Sequence, residues 1–270
     1  MRDVVYGAAV GDALGVPYEF RGAGSFTCTG MASGGAHNQP TGTFSDDTSM
    51  LLATCDSIRE TGHIDPDDMR KRFNDWAMHG EYAVKHVVFD IGGTVSRALA
   101  EGVGRDDVRS NGNGSLMRIA PLAFTDASDD EVRAVSAITH AHRISTESCV
   151  CFVGLLRRLL AGESWKEALE RNIPAGDEFA FLHEVASWPQ SKVRGTGYVL
   201  DTLGASIWCL ANTDSYAECV TAAVNFGDDA DTTACVAGAL AGAVYGYDAI
   251  PAEWIDVLRG KDIIDACLFA

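Results

Sequence analysis

Apolar residues along this chain recur with a helical rather than a two-residue period almost throughout. The clearest stretch opens at Asp65-Pro66, an N-cap followed by a proline whose fixed φ suits the first helical position, and it places Met69, Phe73, Trp76 and Ala77 on one face. Ser128 to Glu131, Ser164 to Glu167 and Ser215 to Glu218 each precede an apolar-periodic run, so their reciprocal side-chain bonding as capping boxes predicts three further helix starts. The opening residues read as a first helix. Others are expected at Thr48 to Thr61, Thr94 to Glu101, Thr146 to Ala161, Phe179 to Ser187, Tyr198 to Ala211, Thr232 to Tyr245 and Ala252 to Arg259. The fold class that follows is all-α. Gly238, Gly242 and Gly246 recur every four residues, which predicts that another backbone approaches this helix closely and that it sits at the centre of the bundle. No linker divides the chain, so residues 1–270 are expected to form one domain.

Two segments resist helix assignment. Gly22 to Asp47 is dense in Gly, Ser and Thr, and irregular stretches of this length tend to be functional or disordered. Asn111-Gly112-Asn113-Gly114-Ser115 is a second break, followed by the helix-like LMRIAPLAF.

Composition narrows the class of partner. With 21 Lys+Arg against 38 Asp+Glu the net charge is −17, and a surface that negative repels phosphate backbones, which argues against duplex nucleic acid as the main partner. An acidic solvated face needs no partner, so charge alone does not argue for a metal. Hydrophobic residues at 47% suit a compact globular chain. The first residues carry Arg2 and Asp3 and lack the apolar run of a secretory signal. The uncharged, Gly- and Ala-rich run Thr232 to Tyr247 is too short to span a bilayer, so no membrane partner is expected. The 8 cysteines show no CxxC pair and sit mostly on apolar helix faces, which fits small buried hydrophobes in a reducing cytoplasm rather than a zinc site.

Two carboxylate clusters remain: FSDDTSM, with Ser45, Asp46, Asp47 and Thr48, and NFGDDADTTA, with Asp228, Asp229, Asp231, Thr232 and Thr233. Asp, Ser and Thr are ordinary helix caps, because they satisfy free N–H groups and complement the positive end of the dipole. One cap needs one such residue, however, and each cluster supplies a surplus of oxygen donors of the kind that hard cations such as Mg²⁺, Mn²⁺ or Ca²⁺ select. Taken separately, each cluster reads equally as cap or metal site.

GAAVGDALGVPYEF, FSDDTSM, NGNGSLMRIAPLAF, ITHAHRIS, GTGYVLDTLGASIWCL and NFGDDADTTACVAGALAGAVYG, in this order, resemble the ADP-ribosylglycohydrolase family. The blocks cover nearly the whole chain. The resemblance implies the family's all-α fold with two divalent cations, Mg²⁺ or Mn²⁺, in a cleft. It carries metal ligation onto Ser45, Asp46 and Asp47 from the first cluster and onto Asp229, Asp231 and Thr232 from the second. It places Glu19 near the metals and the scissile bond, and it implies catalytic roles for Glu19, Asp47 and Asp229. Without the resemblance Glu19 would read as a surface glutamate closing a turn.

The chain departs from the family pattern at three positions. Ser45 stands where many members have Thr, and keeps the hydroxyl. Asp228 stands where a second Gly is frequent; Asp tolerates left-handed backbone better than most residues, yet adds charge beside the site. His142-Arg143 replaces a frequent His-Pro, which bears on loop shape and substrate preference. Glycines near a helix start suit phosphate, so with the resemblance Asn113, Gly114 and Ser115 become expected substrate contacts, and Met117 joins them. Arg118 reads equally as a structural ion-pair partner. Of His140 and His142, whose spacing of two would put them on different helix faces, one is expected buried and hydrogen-bonded and the other, assigned as His142, near the substrate, with neither the catalytic base. Tyr198 reads as a stacking platform for adenine or sugar, or as core.

The expected reaction is hydrolysis at the anomeric carbon of the distal ribose of an ADP-ribosylated protein or small conjugate, with nearby carboxylates stabilising oxocarbenium-like charge. The alternatives are a two-metal phosphohydrolase acting on ADP-ribose and a non-catalytic ADP-ribose-binding relative.

Overall fold

A computed structural model describes residues 1–269, and it contains twelve α-helices and no β-strand among them. They are α1 (Arg2–Gly15), α2 (Asp46–Thr61), α3 (Pro66–His79), α4 (Gly93–Glu101), α5 (Asp129–Ser136), α6 (Arg143–Leu160), α7 (Trp165–Glu170), α8 (Val199–Asn212), α9 (Tyr216–Val224), α10 (Ala230–Tyr245), α11 (Ala252–Val257) and α12 (Lys261–Cys267). The expected all-α class holds.

Local chemistry accounts for most boundaries. Asp65 accepts hydrogen bonds from Asp67 N and Asp68 N at the start of α3, and Met69, Phe73 and Trp76 turn inward. Ser128 and Glu131 form a full capping box on α5. Ser164 and Ser215 cap α7 and α9 by accepting from Glu167 N and Glu218 N. All 8 cysteines are buried and unpaired.

α10 is the central helix, buried from Ala230 to Gly242, and α1 packs along it. This approach depends on missing Cβ atoms. A Cβ on Gly7 would overlap the Gly238 carbonyl, and one on Gly15 would overlap the Asp231 backbone. Gly238 and Gly242 therefore do what their spacing predicts. Gly246 does not: it lies beyond the helix in a φ +81° turn with open space around it.

Three expectations fail for identifiable reasons. Phe179 to Ser187 forms two 3₁₀ turns, Asp177–His183 and Val185–Ser187, instead of an α-helix. Its buried residues Phe179, Leu182 and Val185 are three apart, which matches three residues per turn and not 3.6. Within LMRIAPLAF only Ala120–Phe124 is helical, as a 3₁₀ segment, because Pro121 lacks the N–H that an α-helix continuing from Leu116 would use. His140 and His142 share no helix; His142 is itself the N-cap of α6, its Nδ1 accepting from Ile144 N.

Gly22 to Ser45 is irregular apart from an isolated bridge between Gly34 and Gln39, and it lies near the α1–α10 seam's open end. Among the described residues no helix is long and apolar enough to cross a membrane.

Candidate metal centre and substrate cleft

The seam between α1 and α10 ends in acid. α1 carries Asp12 and runs through a 3₁₀ turn (Val16–Tyr18) to Glu19, while α2 and α10 present their N-termini from opposite ends of the sequence. The two acidic clusters meet directly: Thr232 Oγ1 donates to Asp47 Oδ2 at 3.2 Å across 185 residues of chain.

Capping does not absorb these carboxylates. At α2 the cap is Ser45, whose Oγ accepts from Asp47 N and donates to Asp47 Oδ2. Asp12 completes it from α1, accepting from Ser45 N, from Thr48 N at 3.0 Å and from Thr48 Oγ1 at 2.5 Å. At α10 the N-cap position is Asp229, yet its side chain caps nothing; it accepts from Asn113 Nδ2 at 3.0 Å. Asp231 Oδ1 takes only Thr232 N. Asp47 Oδ1 and Asp231 Oδ2 are buried with no hydrogen-bond partner. Native structures rarely leave such atoms orphaned, and two carboxylate oxygens facing one acidic pocket are the donors a hard cation takes.

Electrostatics point the same way. Burial first, then the charge of Asp47, pushes Asp46 well above the usual carboxylate range. Burial and Asp12 do the same to Asp47, and burial and Glu19 to Asp231. Burial raises Asp229 and Asp90, lifts Asp12 to about 6 against the pull of its hydrogen bonds, and with Asp90 lifts Glu19 to about 10. Crowded carboxylates of this kind are costly unless protons or cations neutralise them. Oxygen atoms of Asp12, Asp47 and Asp231, and of Glu19, Asp229 and Asp231, lie close enough together to share an ion.

Above this pocket lies a cleft of about 400 Å³ lined by Glu19, Asp46, Asp90, Asn113, Gly114, Met117, His140, Asp229 and Thr232, among others. Glu19 is 4% exposed, not a surface residue, and hydrogen-bonds His37. Asn113 is held by Thr202 Oγ1 and by the Gly197 carbonyl, which pairs the glycine loop with the entry to α8. Ser115 lies beneath the loop, fully buried, its Oγ bonded to Ser136 and Cys149, so its side chain faces the core. His142 is not among the cleft-lining residues; His140 is both the buried, hydrogen-bonded histidine and the one at the cleft. Tyr198 is 40% exposed and borders an adjacent hollow of about 290 Å³ with Phe181 and Trp188. Asp228 takes the left-handed geometry expected of it, φ 53°, and its side chain is exposed, away from the buried cluster.

Asp12, His37 and Asp90 escaped the sequence reading. Asp12 sits inside the GDALG block but without any second acid nearby in sequence, and Asp90 and His37 reach Glu19 only through loops.

A family model described as ADP-ribosylglycohydrolase matches residues 1–269. This chain belongs to the ADP-ribosylglycohydrolase family. It is 32% identical to an ADP-ribosylarginine hydrolase of Serratia proteamaculans over 97% of this chain and 76% of that one. It is 31% identical to the ADP-ribosyl-[dinitrogen reductase] glycohydrolase of Rhodospirillum rubrum, over 94% and 88% respectively. A solved structure, an ADP-ribosylglycohydrolase-related protein complex, superposes with a TM-score of 0.83 at 33% identity, covering 98% of this chain and 93% of that one. This ADP-ribosylglycohydrolase is thus an enzyme that removes ADP-ribose, and its acidic pocket is compatible with metal.

Proposed function

We propose that the chain hydrolyses the bond between ADP-ribose and an arginine side chain of a modified protein, using two Mg²⁺ or Mn²⁺ ions. The observation that carries the metal dependence is the pair of orphaned oxygens, Asp47 Oδ1 and Asp231 Oδ2, in an all-oxygen pocket. The arginine linkage rests on the relative from Serratia proteamaculans, which acts on ADP-ribosylarginine.

Ser45, Asp46, Asp47, Asp229, Asp231 and Thr232 would hold the ions, which would supply the positive charge to neutralise the carboxylates and to bind the ribose diol. The remaining work belongs to side chains of the chain itself. Asn113 fixes the Asp229 carboxylate from the substrate side. Gly112 and Gly114 let the diphosphate approach backbone N–H groups, and Met117 closes the cleft wall. Glu19 and Asp229 line the cleft where the reacting carbon would sit, with Asp47 buried beneath them, and negative charge there favours an oxocarbenium-like transition state. Glu19 stands at the cleft with a hydrogen-bonded His37 behind it, and it manages the proton between the attacking water and the leaving guanidine. Asp12 holds the α2 N-terminus in register.

The deciding experiment assays chelator-treated protein, with and without added Mg²⁺ or Mn²⁺, on ADP-ribosylated arginine and serine peptides and on O-acetyl-ADP-ribose. Release of intact ADP-ribose from the arginine peptide, restored by either ion, is the expected result. Full turnover in metal-free protein refutes the metal role. Release of phosphate or AMP instead would make the enzyme a phosphohydrolase.

A further inference from the structure

Arg118 is fully buried on the far side of the glycine loop, and no acidic side chain pairs with it among the described residues. Its guanidinium spends its donors on the Gly114 and Val135 carbonyls and on Thr139 Oγ1 at 2.7 Å, and it lies over the Phe73 ring. A buried charge without a counter-ion is expensive, so a use beyond packing is worth seeking.

The use lies one bond further on. Thr139 Oγ1 is 2.9 Å from His140 Nδ1. A hydroxyl has one proton to give, and a guanidinium can only donate. Thr139 therefore accepts from Arg118 and has its own proton free for His140. If Nδ1 carried a proton as well, the threonine proton would be stranded in a buried site. Hydrogen-bond accounting thus makes Nδ1 the acceptor, which leaves the ring proton on Nε2.

His140 Nε2 makes no hydrogen bond to the described residues, and it sits beside Gly112 and Gly114 where the ring borders the cleft. We propose that Arg118 and Thr139 act as positioning residues that lock His140 in its neutral Nε2–H tautomer, so that the cleft always presents a donor to an acceptor oxygen of ADP-ribose. Burial, and after it the Arg118 charge, pushes the imidazole down to about 3, so the ring stays neutral at physiological pH. It is a fixed donor, unable to serve as a proton carrier. The ligand rests on the function proposed above; the tautomer does not.

Nitrogen-resolved NMR of the imidazoles in wild-type protein is the direct test, with His140→Gln to assign the resonances. His140 should show a pyridine-like Nδ1 and a pyrrole-like Nε2 across pH 6 to 8. Thr139→Val should average that pattern and weaken ADP-ribose binding, measured by calorimetry with metal present, about five- to tenfold, while kcat changes less than about twofold. Thr139→Ser should restore both. Arg118→Met should loosen the tautomer in the same way. A proton on Nδ1 in the wild type overturns the relay outright, with no variant required. Loss of affinity in Thr139→Val with an unchanged tautomer also overturns it, because packing would then be the cause. Wild-type protein with the stated tautomer that fails to bind ADP-ribose refutes the substrate reading and leaves the relay standing.

Discussion

Asp12 and Asp231 are both buried, both on the helices of the central seam, and they fill opposite roles. Asp12 accepts three protein donors, Ser45 N, Thr48 N and Thr48 Oγ1, and ties α1 to α2. Asp231 uses one oxygen for Thr232 N and leaves the other with no partner. Burial by itself therefore says little about what a carboxylate is for; the count of its partners says more. A satisfied one is part of the scaffold, and an orphaned one waits for a ligand.

Exchanging each for asparagine is the sharpest way to break this contrast. Asp231→Asn removes a charge from a crowded pocket, so hydrolysis should fall about a hundredfold or more and metal affinity should weaken. The metal-free variant should melt no lower than the wild type, and slightly higher if repulsion dominates. An active variant with unchanged metal affinity would mean that Asp231 only satisfies Thr232 N in the first turn of α10, which an Asn oxygen does as well.

Asp12→Asn should do the reverse. Its carbonyl oxygen can keep both Thr48 donors, which share Asp12 Oδ2, but its NH2 would face Ser45 N in place of Oδ1, donor against donor, so metal-free stability should drop by about 1–3 kcal/mol, seen as a denaturant midpoint lowered at constant slope. If both exchanges shifted metal-free stability in the same direction, the division between scaffold and ligand carboxylates would fail.

Smaller, but diagnostic, is the pH dependence. The folded protein raises these carboxylates, Asp12 from 3.8 to about 6 and Glu19 from 4.5 to about 10. A raised value means that the native state binds protons more tightly than the unfolded chain does. Its contribution is complete below about pH 4 and is lost as pH rises through the folded values. Metal-free protein should therefore melt progressively lower between pH 5 and 8. Saturating Mg²⁺ or Mn²⁺ should flatten or invert that slope, and parallel slopes with and without metal would show that no cation occupies the pocket.

The smallest effect expected is at Ser45. Ser45→Thr keeps the hydroxyl that caps α2 and meets Asp47, so turnover should stay within about threefold. Ser45→Ala should cost about 1 kcal/mol of stability and, if Ser45 is a ligand, also weaken metal binding.

The sequence by itself determined the all-α class, the starts of α3, α5, α7 and α9, and the meeting surface of α10, because caps and small-residue spacing act within a few residues. It also marked both acidic clusters as richer in oxygen than a cap requires. It could not say whether Phe179 to Ser187 would follow a 3.6- or a 3-residue turn, since that depends on what the buried aromatics pack against. Nor could it see that Asp12 serves α2, that Asp90 and His37 converge on Glu19, or that His140 borders the cleft while Ser115 lies under it. Those facts belong to pairs of residues from separate elements, and only the packing of α1 on α10, where glycines let the backbones touch, brings the two ends of the chain together at one site. Hydrogen-bond partners across such distances are set by tertiary contact, so which carboxylate is satisfied and which is left open was decided by the fold alone.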